Sequence, residues 1–260
     1  MSNITVTHAE SGLVHAEVVR RERITPHMTR VTLGGPDVAR FEFRGFDQWF
    51  RLALPIGDEG ALDRMPQRFG FGGYLSYLSI PKGQRPVVRN YTVRDYRESE
   101  RELDIDFVVH GSEGVAGPWA ARAVPGERVA LIDQGCGWRG LDADWNLIVA
   151  DESGLPAALG ILRDLPRAAT GHAIIELFDE RDRQDVDAPV GVEVHWLVRA
   201  EAAEPGSAAL PALEALDFPD GTPYAFAVGE QALAAGARRH LVRQRGVPKG
   251  GVTFSGYWRR

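Results

Sequence analysis

The sequence predicts two domains of different class: an antiparallel β-barrel over residues 1–140, then an α/β parallel-sheet domain over residues 141–260. Three observations lead there. The chain has 260 residues, enough for about two domains. Its first half reads as short alternating strands punctuated by turn signals, as in an antiparallel barrel or sandwich. Its second half alternates continuous apolar runs with helical spacing, the pattern of an open, mostly parallel sheet of Rossmann-like type.

In the first half, residues 15–35 alternate and stop at Gly34, Gly35 and Pro36, a turn signal. Residues 48–56 read as a strand ending near Pro55. Residues 58–86 are polar, glycine-bearing and without a clean period; a loop of that length is uncommon unless it is functional or mobile. Residues 87–96, 102–110 and 126–135 are further strands. The boundary falls near 137–144. Beyond it, 145–151 (WNLIVAD) reads as a strand buried on both faces, and 154–165 has helical spacing. Residues 172–180 and 192–200 are strands, and 207–218 is a helix with Pro211 in its first turn. A strand at 224–230, a helix at 231–246 ending in arginines and Gly246, and a strand at 251–258 complete the chain.

Composition excludes some classes. A net charge of −6 weighs against nucleic acid as the main partner. The single cysteine, Cys136, allows no intrachain disulfide and no cysteine-ligated cluster. The opening MSNITVTHAE has no basic stretch followed by an apolar one, and no run of eighteen apolar residues occurs. The expectation is a cytoplasmic protein without a membrane span, monomeric by default. Histidines at 8, 15, 27, 110, 172, 195 and 240 are scattered and pair with no carboxylate at a metal-ligand spacing, so no protein-bound metal is expected. No Ser/His/Asp nucleophile context stands out.

Three constellations carry chemistry. In an extended strand Arg89 and Tyr91 share one face, Asn90 and Thr92 the other. A guanidinium beside a phenol ring suits a planar, anionic ligand; a surface arginine beside a half-buried tyrosine on a barrel strand is the alternative. In residues 103–108, Leu103, Ile105 and Phe107 face one way and Asp104, Asp106 and Val108 the other, with His110 at the strand end. These read either as two solvated aspartates or as a strand end lining a nucleotide. Finally, Gly111, Gly114 and Gly117 precede Pro118 and Trp119, so that free N–H groups at a helix start could meet a pyrophosphate.

Together these segments resemble the flavin-binding barrel of the siderophore-interacting protein family, FAD-dependent ferric-siderophore reductases within the ferredoxin–NADP reductase-like superfamily. The family's Arg-x-Tyr-Thr is matched by Arg89, Tyr91 and Thr92, and its aspartate-rich strand by DIDFVVHG, residues 104–111. Its Gly-Pro-Ala loop is matched by GVAGPWA, 114–120, where Val115 stands for the proline and a proline follows at Pro118. DESGLPAALGIL at 151–162, VHWLVR at 194–199, AVGE at 227–230, RRHLVRQRG at 238–246 and SGYWRR at 255–260 extend the resemblance over nearly the whole chain.

The resemblance implies FAD as the cofactor, with Tyr91 on the isoalloxazine, Arg89 on the pyrophosphate, and Thr92 near the flavin N5 beside Asn90. It implies Asp106, Val108, His110 and Gly111 along the ribityl and adenylate parts, and Ala116 and Gly117 N–H groups at the pyrophosphate, with Trp119 in the same loop. No side chain is expected to be catalytic, because the flavin carries the chemistry. NADH or NADPH is the implied donor, with reduced ferredoxin as an alternative. Asp151, Glu152 and Ser153 follow a strand where open sheets bind ligands, yet no Gly-x-Gly-x-x-Gly stands there, and acids at a helix start are also an ordinary arrangement. Gly229 and Glu230 end a second strand, facing the nicotinamide or forming a turn. Arg239, Arg243, Lys249, Trp258 and Arg259 are the candidate pocket for an anionic ferric siderophore. Two other readings stay open: a flavin or ferredoxin-type reductase with another acceptor, and a non-catalytic siderophore binder.

Overall fold

The computed structural model of the chain describes residues 2–7, 10–57, 59–109 and 114–260. Residues 6–136 form one unit; residues 137–260 together with 2–5 form another.

The first unit holds β1 (Leu13–Thr25), β2 (Met28–Gly34), β3 (Trp49–Leu54), β4 (Val87–Thr92), β5 (Asp95–Arg97), β6 (Glu102–Val108) and β7 (Arg128–Gly135). They make a seven-stranded antiparallel sheet in the order β4-β3-β7-β1-β2-β6-β5. The two edge strands, β4 and β5, are separated in the chain by only Val93 and Arg94. The Val93 N–H donates to the Gln48 carbonyl beside β3 (2.8 Å), and the Arg94 N–H donates to the Asp104 carbonyl on β6 (2.9 Å). Successive amides therefore tie the two ends of the sheet together at one corner and curl it toward a barrel, while β4 and β5 remain its edge strands.

Alternation fills the interior. Phe50, Leu52, Ile105, Phe107, Val129 and Leu131 are buried in one cluster, as period-2 strands with one face inward require. On the opposite face Leu13, Ala53 and Ile132 are covered by Leu62, Met65 and Ile80 from the 58–86 segment. That segment is not the structureless loop its sequence suggests. It contains a 3₁₀ turn at Glu59–Arg64 and helix α1 at Phe71–Ser79. Phe71, Tyr74, Leu75 and Leu78 do recur at helical spacing, but they are exposed rather than turned to a core. Gly73 is required there, since a Cβ would lie 1.8 Å from the Arg68 carbonyl oxygen. The short helix α2 spans Ala116–Ala120.

The second unit is a five-stranded parallel sheet, β10-β9-β8-β11-β12, built from β8 (Trp145–Ala150), β9 (Thr170–Leu177), β10 (Gly191–Val198), β11 (Pro223–Glu230) and β12 (Val252–Trp258). Helices α3 (Leu155–Asp164), α4 (Ala209–Ala215) and α5 (Gln231–Arg243) connect strands. The chain winds outward from β8 to β10, then restarts at β11 on the other side of β8. The strand order thus reverses between β8 and β11, which opens a crevice at their carboxyl ends. Residues 2–5 attach beside β12: the Asn3 side chain donates to the Val252 carbonyl (2.8 Å) and accepts from the Phe254 N–H (2.8 Å). Among the described residues no helix is long and apolar enough to cross a membrane.

Candidate functional site

Three sequence constellations meet through one ladder of rings. Tyr91 on β4 lies 4.3 Å, centroid to centroid, from Phe107 on β6, and Phe107 lies 5.6 Å from Trp119 on α2. Phe107 and Trp119 are buried, whereas Tyr91 is half-buried at the open end of the ladder. Burial pushes its phenol pKa upward, so the hydroxyl stays neutral at any physiological pH. Trp119 is therefore a packing residue that fixes α2 against β6.

The strand register sorts the Arg-x-Tyr-Thr run. Tyr91 pairs with Phe50 and Arg89 with Leu52, both core residues, so these two point to the interior side. Asn90 pairs with Arg51 and Thr92 with Trp49, on the other side. The Asn90 side chain thus lies across the strand from Tyr91, and Thr92 is buried; both share the Tyr91 site through backbone only. β4 is an edge strand, so half of its N–H and C=O groups point away from β3. Arg89 is exposed, donates to its neighbour's carbonyl at Val88 (2.8 Å), and has no carboxylate partner among the described residues.

The aspartates of β6 have another fate. Asp106 is buried and bonded bidentately by Arg30 (2.7 and 2.8 Å), with Arg94 at 3.6 Å. Asp104 is buried against Arg97 (2.7 Å) and the Thr32 hydroxyl (2.7 Å). Both face their partners directly across the β2–β6 ladder, Arg30 opposite Asp106 and Thr32 opposite Asp104. They are neither solvated nor available to a ligand, and the assignment of Asp106 to a nucleotide contact is corrected to a structural ion pair. Val108 is half-buried at the end of β6, and its carbonyl oxygen stands 3.3 Å from where a Cβ on Gly117 would be. His110 and Gly111 lie outside the described residues.

At α2 no side chain caps the first turn, and Pro118 contributes no N–H. The first-turn N–H groups at Ala116 and Gly117 have no intrahelical acceptor, as at any helix start. This donor set tests well against FAD. A half-exposed aromatic ring suits a flat ring system, an edge strand offers backbone groups to its polar rim, and an unpaired guanidinium with uncapped amides suits a diphosphate.

In the second unit, Asp151 follows β8 and is a buried hub. It accepts from Ser153 N–H (2.9 Å) and hydroxyl (2.6 Å), Gly154 N–H (3.2 Å), Glu230 N–H (2.6 Å) and Trp258 Nε1 (3.1 Å). Gly229, at φ +129°, must be glycine because a Cβ would lie 2.6 Å from the Asp151 carboxyl carbon. Glu152 is buried against Arg199 (2.6 and 2.7 Å), which also reaches Glu176 (3.3 Å). Burial pushes the Glu152 carboxyl up, with Arg199 pulling the other way. The Glu230 side chain caps α5 through the Ala232 N–H. These acids close the switch-point loop from within; they are not a solvated helix start, and none offers a free carboxylate to a dinucleotide.

The candidate siderophore residues separate into two groups. Helix α5 leaves the carboxyl end of β11 and runs back over about 18 Å, so Arg243, and Lys249 just before β12, lie at the amino ends of the strands. Arg239 is one turn before Arg243 on the same helix face. Trp258 and Arg259 lie at the carboxyl end of β12, and the Trp258 indole is committed to Asp151. One pocket cannot draw on all five.

Comparison with known proteins agrees with this architecture. Residues 17–137 match the siderophore-interacting FAD-binding domain, and residues 143–260 match the siderophore-interacting protein domain. The chain is 33% identical to ferric vibriobactin reductase ViuB of Vibrio cholerae, over 94% of this chain and 88% of that protein. It is 31% identical to an NADPH-dependent ferric-chelate reductase of Escherichia coli, over 93% and 91%. A siderophore utilization protein from T. fusca superposes with a TM-score of 0.79 at 35% identity, over 98% of this chain and 96% of that one. A ferredoxin NADP+ reductase from Neisseria gonorrhoeae, at 15% identity and a TM-score of 0.62, shares the fold. A curled antiparallel sheet with an FAD-compatible face, a switch-point sheet and similarity to ferric reductases over most of both chains converge: the chain belongs to the siderophore-interacting protein family, as an FAD-dependent oxidoreductase.

Proposed function

We propose that the chain reduces the ferric ion of a siderophore with electrons from NADH or NADPH. The balance is one NAD(P)H and two ferric chelates giving NAD(P)+, one proton and two ferrous ions. Fe(II) is held far more weakly than Fe(III) by hard oxygen chelators, so reduction releases the metal. FAD bound here would supply the chemistry that joins donor and acceptor, taking one hydride, that is two electrons, and releasing them one at a time. The observation that carries this reading is the pairing of Arg89 and Tyr91 on the interior side of an edge strand, joined to α2 through Phe107.

The protein's part is to bind and orient. Arg89 grips the diphosphate, and the Tyr91 ring supports the flavin ring without ionising. Ala116 and Gly117 present N–H groups to the same diphosphate. The ion pairs of Asp104 and Asp106 hold β2, β5 and β6 in register beneath them. Asp151 holds the ends of β8, β11 and β12 together, taking up the N–H groups of Ser153, Gly154 and Glu230 at this switch point. Arg259, exposed and without a carboxylate partner among the described residues, is the cation suited to an anionic chelate at that end of the sheet. We place the activity in the cytoplasm, with the chain acting as a monomer.

A second reading, reduced ferredoxin as donor, is favoured by one observation: the 151–154 loop is closed by the Asp151 hydrogen bonds and offers no glycine-rich phosphate cradle. The test is steady-state turnover of ferric siderophores against free flavins and dyes, with NADH, NADPH or reduced ferredoxin as donor. Ferric chelates should be reduced with a higher kcat/KM than the other acceptors. Turnover confined to free flavins or dyes would reassign the acceptor.

A further inference from the structure

At the amino ends of β9 and β10, far along the sheet from the β8–β11 switch point, three potential ligands converge. His172 is the third residue of β9; Glu193 and His195 are the third and fifth of β10. The parallel register sets Glu193 opposite His172, and His195 follows Glu193 on the same face. His172 Nδ1 faces His195 Nε2 at 3.1 Å. One Glu193 oxygen is 3.7 Å from His172 Nδ1, and the other is 3.8 Å from His195 Nδ1. One ligand atom from each residue lies within 4.8 Å of the others.

We propose that His172, Glu193 and His195 bind one divalent transition-metal ion of borderline softness, with Zn2+ as the representative. Two imidazole nitrogens 3.1 Å apart, each about 2.1 Å from an ion, subtend about 95° at it, between tetrahedral and octahedral demands. Glu193 is exposed, so its carboxylate can rotate to close the third bond, leaving further positions to water. The two histidines are half-buried and held from behind. The buried Trp145 indole packs edge-on against His172 with centroids 6.1 Å apart, and Phe218 packs on Trp145 at 5.0 Å. Without metal one ring nitrogen must donate to the other. With metal both facing nitrogens coordinate, and the ring that carried the shared proton shifts it to its own remote nitrogen, Nε2 of His172 or Nδ1 of His195, the latter beside the second Glu193 oxygen. Two nitrogen donors select against Mg2+ and Ca2+, which demand oxygen.

The site is independent of FAD, so its test does not depend on turnover. Zn2+ is titrated calorimetrically into the FAD-loaded, chelator-treated protein, and Co2+ binding is followed by its visible ligand-field bands. One ion per chain is expected, with Mg2+ and Ca2+ failing to compete. H172A and H195A should each weaken binding at least tenfold and remove the Co2+ bands; E193Q should weaken it less. H240A, a histidine outside the cluster, should change nothing. Flavin absorbance and melting temperature report whether each variant is folded, and H195Q provides a milder replacement where H195A is not. Absence of stoichiometric binding, or binding that survives both H172A and H195A, would overturn the proposal and leave an imidazole–imidazole hydrogen bond.

Discussion

Replacing Arg89 by alanine separates binding from folding. The side chain is exposed, and among the described residues its hydrogen bond goes to the adjacent Val88 carbonyl. Its loss should change apoprotein stability by less than about 0.5 kcal/mol, as at other surface positions. If it grips the FAD diphosphate, the lost charge-assisted hydrogen bonds are worth about 1.5–3 kcal/mol, or roughly 10- to 150-fold in Kd. Lysine should recover only part, because an ammonium cannot make the bidentate contact. The contrasting variant is D106N. That carboxylate is buried and holds Arg30 in two hydrogen bonds, so its neutralisation should cost about 3 kcal/mol of stability. The assay is quenching of FAD fluorescence on titration with apoprotein, alongside thermal unfolding of both variants. An R89A protein that binds FAD within twofold of the parent would refute the placement of the diphosphate at β4.

Three further outcomes follow from the packing. F107A removes the middle ring between Tyr91 and Trp119 and should lower stability by about 3–5 kcal/mol, with a loss of FAD affinity exceeding that of W119F; unchanged affinity would separate the ladder from the cofactor. G229A forces a Cβ to within 2.6 Å of the Asp151 carboxyl carbon at a φ of +129° and should destabilise the second unit by roughly 2 kcal/mol or more, read as a lower melting temperature. Burial opposes ionisation of Asp104, but hydrogen bonds from Arg97 and Thr32 outweigh it and hold the folded carboxyl below its ordinary value. The stabilisation is therefore complete above the unfolded value near pH 4 and is lost as pH falls through the folded one. Acid unfolding of D104N should lack that component; an unchanged acid limb would contradict the linkage.

The division into a strand-rich half and an α/β half is legible because period-2 alternation and buried apolar runs are local signals. The curl of the first sheet is not, since it depends on Val93 and Arg94 bonding toward opposite sides of the sheet. Helix α1 escapes notice because its apolar stripe faces solvent and two glycines open it. Asp104 and Asp106 look solvated on alternation alone; only the β2–β6 register reveals Arg30 and Thr32 across from them and Arg97 beside them. The basic residues near the carboxyl terminus look like one pocket in the sequence, but a 13-residue helix carries Arg243 and Lys249 to the other end of the sheet from Arg259. The His172, Glu193 and His195 cluster is hidden for the same reason. Its ligands come from adjacent parallel strands joined by a long crossover, so no compact spacing announces them.

The most direct measurement is the visible spectrum of the purified protein under anaerobic conditions, as NADH or NADPH and then a ferric siderophore are added. Oxidised-flavin bands should bleach with the donor and return with the chelate while Fe(II) accumulates in a ferrous trap. A protein that stays colourless after incubation with FAD, or flavin bands that bleach and are reoxidised by no ferric chelate, would contradict a flavin-dependent ferric-siderophore reductase.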